Sequence, residues 1–351
     1  MSARVVAILV VLLAVLGGAA LLYQHQERTR RPDSVATLGR PLLKDLKAAD
    51  VAAIRIAEPK ATLTISRKDD AWLIAERGDF PADVTRVREF VLKAIGLKVG
   101  QSEPIGEKDR ARFNLDASGT QVELKNAEGK TLAAMTVGKK HFKREPDNPE
   151  RAPGDGRFIA LPGEAGTVYL VGDPLPQATA RSAEWIDRTS FQVEKVRALE
   201  VRYPDGSGYR IERAADNADW RLAGAAAGEK VDVSRANAAS YSLSLLELAD
   251  VAPKDAPNTG LDKPTAIQAS TFDGLAYAIK VGRLEAENYY VSFTSSGEAK
   301  PDPKDAERAK RLAERAPREK LLAQHVLLIP KSKLEDTLKK RAELLEQQPK
   351  K

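Results

Sequence analysis

"AWLIAERGDFPADVTRVREFV" (Ala71–Val91) and "ADWRLAGAAAGEKVDVSRANAASYSL" (Ala218–Leu243) carry one pattern in two places. Each has a Trp with an apolar residue two positions on, then a loop, an Asp and a stretch with helical spacing. Asp83 and Asp232 stand where a helix N-cap accepts a backbone N–H. The first predicted helix places Val84, Val87, Phe90, Val91, Ala94 and Ile95 at intervals of three and four, before Gly96 as a stop. The second places Val233, Ala236, Leu243 and Leu246 on one side. Upstream of each lie alternating segments that read as half-buried strands. They are "VAAIRI" (Val51–Ile56) and "TLTISR" (Thr62–Arg67) in the first, and "ALEVRY" (Ala198–Tyr203) and "GYRIER" (Gly208–Arg213) in the second.

The correspondence extends along most of the chain. Ile54 answers Leu199 at an offset of 145, Ile65 answers Ile211 at 146, Trp72 answers Trp220 at 148 and Asp83 answers Asp232 at 149. Single-residue drift at turns is what loop insertion in a duplicated domain produces. "FNLD" (Phe113–Asp116) answers "TGLD" (Thr259–Asp262), and "VELKNAEGKTLAAMTVG" (Val122–Gly138) answers "IQASTFDGLAYAIKVG" (Ile267–Gly282), each a hairpin with Gly in its turn. "VYLV" (Val168–Val171) answers "VLLI" (Val326–Ile329), with helical stretches after both, the last opening on Ser332 and Glu335 at capping-box spacing. The expected class is α+β. An N-terminal transmembrane helix is followed by two tandem homologous domains, each an antiparallel meander plus helix, further strands and a final helix. The expected organisation is an anchor over 1–30, a linker over 31–49, a first repeat domain over 50–190 and a second over 191–351.

The 351 residues, 42% hydrophobic and 30% charged, describe a folded chain, and the absence of Cys excludes disulfides and thiol chemistry. A net charge of +6 invites a nucleic-acid reading, but residues 1–40 carry +3 and residues 300–351 carry +6, leaving −3 for 41–299. Without a basic stripe on the body, nucleic acid is not an expected partner. From Val5 to Tyr23 every residue is apolar or Gly. Such a run spans ~28 Å, close to the hydrocarbon thickness of a bilayer. Membrane lipid is therefore the expected partner of residues 5–23; the rival reading is a signal peptide cleaved near "GGAA". Arg4 precedes the run while Arg28, Arg30 and Arg31 follow it, which by charge counting slightly favours a cytoplasmic body.

Reactive constellations are scarce. The three histidines, His25, His141 and His325, share no metal-ligand spacing. No Ser lies in a nucleophile elbow, and "TVGKK" (Thr136–Lys140) lacks the Gly and the hydroxyl of a phosphate loop. No catalytic residue, cofactor or metal site is therefore expected. Trp72 and Trp220 are expected in the core. "KKHFKREPDNPERAPGDGR" (Lys139–Arg157) is an insertion in the first copy, expected to be a loop. "PKDAERAKRLAERAPREK" (Pro303–Lys320) is an insertion in the second. It reads as an exposed helix with Glu307–Arg311 and Glu314–Arg318 pairs and a thin strip of Ala306, Ala309, Leu312, Ala313 and Ala316. Its basic residues Arg308, Lys310, Arg311, Arg315 and Arg318 form a candidate partner surface, with Trp185 and Arg188 of "EWIDR" as a second candidate at the domain junction. For both, the plainer alternative is a solvated helix and a packed chain turn.

The W-x-[LI] strand, the Asp-started helix, "GLDKP" (Gly260–Pro264), the "VG" closing each hairpin, "NYYV" (Asn288–Val291) and "EWIDRTSF" (Glu184–Phe191) together resemble the bacterial family called domain of unknown function 4340. The first copy departs from it at "NLDAS" and at "RFIA". The resemblance implies a membrane-anchored extracytoplasmic protein of the bacterial inner membrane, with its body in the periplasm, and as partners the permease or auxiliary subunits of a gliding-motility-type ABC transporter. The expected function is a scaffold or accessory subunit. The rivals are an envelope glycan-binding module and an Asp/Glu-dependent hydrolase, the latter requiring two acids buried in one cleft.

Overall fold

The computed structural model describes residues 38–164, 166–300 and 303–346. The predicted span Val5–Tyr23 lies outside them. Among the described residues no helix is long and apolar enough to cross a membrane.

In chain order the first half runs β1 (Ala53–Glu58), β2 (Ala61–Lys68), β3 (Ala71–Ile74), β4 (Phe80–Pro81), α1 (Val84–Gly96), β5 (Val99–Pro104), α2 (Glu107–Arg110), β6 (Thr120–Lys125), β7 (Thr131–His141), β8 (Gly156–Ala160) and β9 (Thr167–Val171). The second runs β10 (Val196–Arg202), β11 (Gly208–Glu212), β12 (Arg221–Leu222), α3 (Val233–Tyr241), β13 (Asp250–Val251), β14 (Thr265–Thr271), β15 (Ala276–Glu285), β16 (Asn288–Ser296), α4 (Ala306–Leu322), β17 (Leu327–Pro330) and α5 (Lys331–Leu334). The class is mixed α+β, with two antiparallel sheets and few helices.

The described residues form two compact units, those within 38–67 and 84–180, and those within 68–83 and 181–346. The first contains the strand order β2-β1-β6-β7-β8-β9-β5, and the second contains β12-β11-β10-β14-β15-β16-β17-β13. From β2 to β5 the first order corresponds strand for strand to β11 through β13 of the second. At the centre of the first, Ile54 faces Ile65 on one side and Leu124 on the other, all buried. At the centre of the second, Leu199 faces Ile211 and Ala269, also buried. Period-two alternation puts these side chains on one face, and burying that face fixes the register. The hairpin β3–β4 belongs to the first copy in sequence and to the second unit in space.

The "VG" and "LD" segments have one physical explanation in both units. The β7–β8 ladder shifts register between Val137 and Lys140, and the β15–β16 ladder between Val281 and Leu284. At each irregularity a Gly admits the neighbouring segment. A Cβ on Gly138 would stand 2.2 Å from the Phe113 carbonyl oxygen, and one on Gly282 would stand 2.2 Å from that of Thr259. Gly260 takes φ +72°, and Asn114, which replaces it in the first copy, takes φ +52°. Asn is among the residues that best tolerate the left-handed region, so "NLDAS" departs in sequence while keeping the backbone conformation.

Some local expectations change. Asp232 does cap α3, accepting from the Arg235 N–H at 3.2 Å. Val84 and Val233, predicted on apolar faces, are exposed because each is the first helical residue, ahead of the turns that pack. Ser332 is not a cap: α5 begins one residue earlier, with Pro330 preceding it. After β9 the predicted helix shrinks to a 3₁₀ turn over Ser182–Glu184. Trp220 is buried at 3% exposure, whereas Trp72, expected in an equivalent core position, is only half-buried on its short strand.

Candidate functional site

Helix α4 starts at Asp305, whose side chain accepts from the Arg308 N–H at 2.9 Å. Its buried residues are Arg308, Leu312, Glu319 and Leu322, spaced to share one helical face. That face meets acids of the second unit. Arg308 donates from Nε and Nη2 to Asp273 Oδ2 at 3.1 and 2.7 Å, and from Nη1 to Glu194. Arg315 donates to Glu194 Oε2 at 2.5 Å, to Glu319 Oε1 at 2.8 Å and to the Gln192 carbonyl. The Tyr277 hydroxyl donates to Glu319 Oε2 at 3.1 Å. Burial would raise the Glu194 pKa, but the Arg308 and Arg315 guanidiniums more than offset it and hold the carboxyl below its usual range. Burial, with Glu319 alongside, pushes the Tyr277 phenol up.

The helix is therefore clasped to the unit by buried ion pairs, which corrects its reading as an exposed element. Arg308 is 4% exposed and cannot serve a partner. Arg315 points the same way. The strip expected to pack is largely solvent-facing: Ala306, Ala309, Ala313 and Ala316 are exposed and only Leu312 is buried. The physical reason is that alanines bury little area, whereas Leu312 and Leu322 bury more and set the inward face, bringing the arginines with them. The Glu307–Arg311 pair forms at 3.6 Å. Glu314 instead approaches Lys310 at 3.9 Å, because Arg318 turns to the carbonyls of Asp187 and Thr189 at 2.8 and 3.1 Å. Of the five basic residues, Lys310 and Arg311 remain on the outer face.

At the predicted junction, Trp185, Ile186 and Phe191 are fully buried, so Trp185 is core and not a contact surface. The Trp185 carbonyl accepts from the Asp83 N–H at 2.7 Å. Arg188 is exposed, 3.4 Å from the Ala183 carbonyl. Sequence reasoning passed over the pair beside them. Arg77, in the β3–β4 hairpin, donates to Asp250 Oδ2 at 3.1 Å, and the Ser182 hydroxyl donates to the same oxygen at 2.5 Å. Phe80 packs edge-on to His325 at 5.1 Å, and Arg318 lies 5.3 Å over the Phe80 ring. Burial lowers the His325 pKa. Arg77 and Asp250 stand 173 residues apart, so no local spacing could signal the pair.

A cleft of ≈450 Å³ opens in the second unit. It is lined by Glu194, Lys195, Arg213, Asn237, Ser240 and Tyr241, among others. Tyr241 is 63% exposed there. Arg213 is held by the Val196 carbonyl at 2.8 Å and by Asp216 at 2.6 Å, and Asn237 accepts from the Trp220 indole at 2.8 Å. Among the described residues no group of three or more His, Cys, Asp or Glu could hold a metal ion. The buried acids Asp273 and Glu319 are each engaged by a guanidinium. They are spent on holding α4.

A family model described as a domain of unknown function, DUF4340, matches residues 72–264. Neither a curated protein nor a solved structure matches the chain.

Proposed function

The chain belongs to the DUF4340 family, and from that premise we propose that it is a membrane-anchored scaffold or accessory subunit of an ABC-transporter or export assembly, built on two homologous copies of one fold. It acts without catalysis, held in the bacterial inner membrane by Val5–Tyr23, with its body in the periplasm. The observation that carries this reading is the placement of α4. The helix is an insertion present in one copy only, yet a buried ion network holds it against the unit. Its outer face, with Lys310 and Arg311 among exposed alanines, is thereby presented in one orientation. A preorganised charged face loses little entropy when a partner docks. The shared strand order supports duplication, and the apolar run supports the anchor.

The test is co-purification from membranes. Replacing Lys310 and Arg311 with Glu is expected to leave melting unchanged and to reduce recovery with the permease. Wild-type recovery is expected to fall as salt rises, since surface attraction is screened over ~8 Å at physiological ionic strength. Equal recovery of the reversed variant at every salt concentration would sink the assignment of this face.

One observation favours a second reading, an envelope glycan module: the exposed Tyr241 ring beside the Asn237 and Ser240 side chains in the second-unit cleft. Aromatic faces with flanking amides and hydroxyls are suited to sugar rings. Tyr241→Ala would then abolish retention on a peptidoglycan column while sparing co-purification with the permease.

A further inference from the structure

Arg157 is half-buried on β8, directly opposite Lys140 on β7. Directly opposed residues of antiparallel strands share a sheet face, and like charges placed so repel. Among the described residues Lys140 does not pair with an acid. Its ammonium donates to three backbone carbonyls of the 139–157 insertion, those of Pro149 (3.4 Å), Glu150 (2.8 Å) and Ala152 (2.8 Å). Arg157 has even less. Among the described residues its side chain makes no hydrogen bond or ion pair, and its Nε is buried without a partner.

Buried guanidinium groups are ordinarily paired, because desolvating a charge without compensation is expensive. Here burial alone pulls the Arg157 guanidinium below its usual pKa, with no acid to restore it. The two cations line a cleft of ≈740 Å³ together with Lys139, the Thr120 and Asn114 side chains and the Phe142 ring. That volume lies within the ~300–1,000 Å³ of small-molecule sites. Glu145 and Glu150, both exposed, also line the cleft, and among the described residues neither forms an ion pair with Arg157. The Arg157 guanidinium lines the cleft without an acidic partner, and Lys139 together with the charge of Lys140, whose donors are taken by the three carbonyls, adds positive potential; the arrangement suits an oxyanion. Lys140 also supplies the reason for the insertion's shape: three carbonyls folded over one ammonium bring residues 149–152 over the cleft.

We propose that the first unit binds a small anion, through a carboxylate or phosphate group placed against Arg157 in the cleft between β7, β8 and the 139–157 insertion. This goes beyond the accessory-subunit reading and does not depend on it.

The test uses the full chain in detergent, titrated calorimetrically and by thermal melting with inorganic phosphate in one arm and succinate in the other, each against sodium chloride at equal ionic strength. One of the two anions is expected to raise the wild-type melting temperature and to give a saturable heat. The arm that responds identifies the group. Arg157→Gln is expected to weaken that binding about tenfold or more, the loss of one charge-assisted contact. Without anion, it should melt no lower than wild type, because it removes an unpaired buried charge. Glu145→Gln, a change at an exposed lining residue, is expected to tighten binding by removing a competing charge. The site is overturned if neither anion shifts the wild type beyond chloride. It is equally overturned if Arg157→Gln binds as wild type does, if its anion-free form melts markedly lower, or if Glu145→Gln leaves affinity unchanged.

Discussion

A Cβ on Gly282 would stand 2.2 Å from the Thr259 carbonyl oxygen and 3.2 Å from the Gly260 carbonyl carbon. Backbone atoms cannot swing aside, so Gly282→Ala and Gly138→Ala are both expected to destabilise the protein by ~1–3 kcal/mol, the scale of an overpacked core. Gly172→Ala, where a Cβ meets nothing within 4 Å, is the control expected to melt as wild type. Chemical denaturation of the three variants checks this. The tryptophans give a second residue-scale expectation. Trp220 is buried, donates to Asn237 and carries Arg213 4.7 Å over its ring. Trp220→Ala should lower stability by ~3–5 kcal/mol, as deletion of a large core side chain does. Trp72→Ala should lower it by clearly less, because that ring is half-buried. Equal losses would contradict the burial difference.

Helix α4 shows how an element can be amphipathic in charge. Its inward face is held by Arg308 and Arg315, so removing Arg308 strips the buried Asp273 of its guanidinium, leaving it only Lys195 at 3.9 Å, and leaves Glu194 with Arg315 alone. Arg308→Met is expected to cost about 3–5 kcal/mol, the loss typical of breaking a buried pair from one side. The network also sets a pH dependence. The Glu194 carboxyl has a folded pKa below its ordinary 4.5, so its contribution is fully present above about pH 4.5 and is lost as pH falls through the lowered value. Melting curves from pH 7 down to 3 should show the gap between wild type and Arg308→Met narrowing below pH 4.5. A gap that stays constant would mean that Glu194 titrates alike in both. On the outer face, the Glu307–Arg311 and Lys310–Glu314 pairs are exposed and worth at most ~0.5 kcal/mol each.

For the whole molecule the testable property is its placement relative to the membrane. Charge counting around Val5–Tyr23 slightly favours a cytoplasmic body, while the proposed function requires the body outside. Ala127 is exposed in the β6–β7 turn and the chain has no Cys, so Ala127→Cys makes a single reporter thiol. It is expected to react with a membrane-impermeant thiol reagent in intact spheroplasts. Labelling only after lysis would place the body in the cytoplasm and remove the periplasmic reading.

The α+β class, the strand pattern, the hairpins and the Asp232 cap were legible in the sequence, because each rests on spacing within a few residues. The family, too, was legible from the ordered set of short motifs. Tertiary structure alone decided which face of α4 turns inward, since its anchors Asp273 and Glu194 lie 35 and 114 residues from Arg308. It also decided that Trp185 is core, that the β3–β4 hairpin sides with the second unit, and that Arg157 is left unpaired in a cleft. These outcomes share one cause. Periodicity reports which side of an element is apolar, but the partner of a buried charge is set by chain segments that meet only on folding, and local spacing carries no record of them.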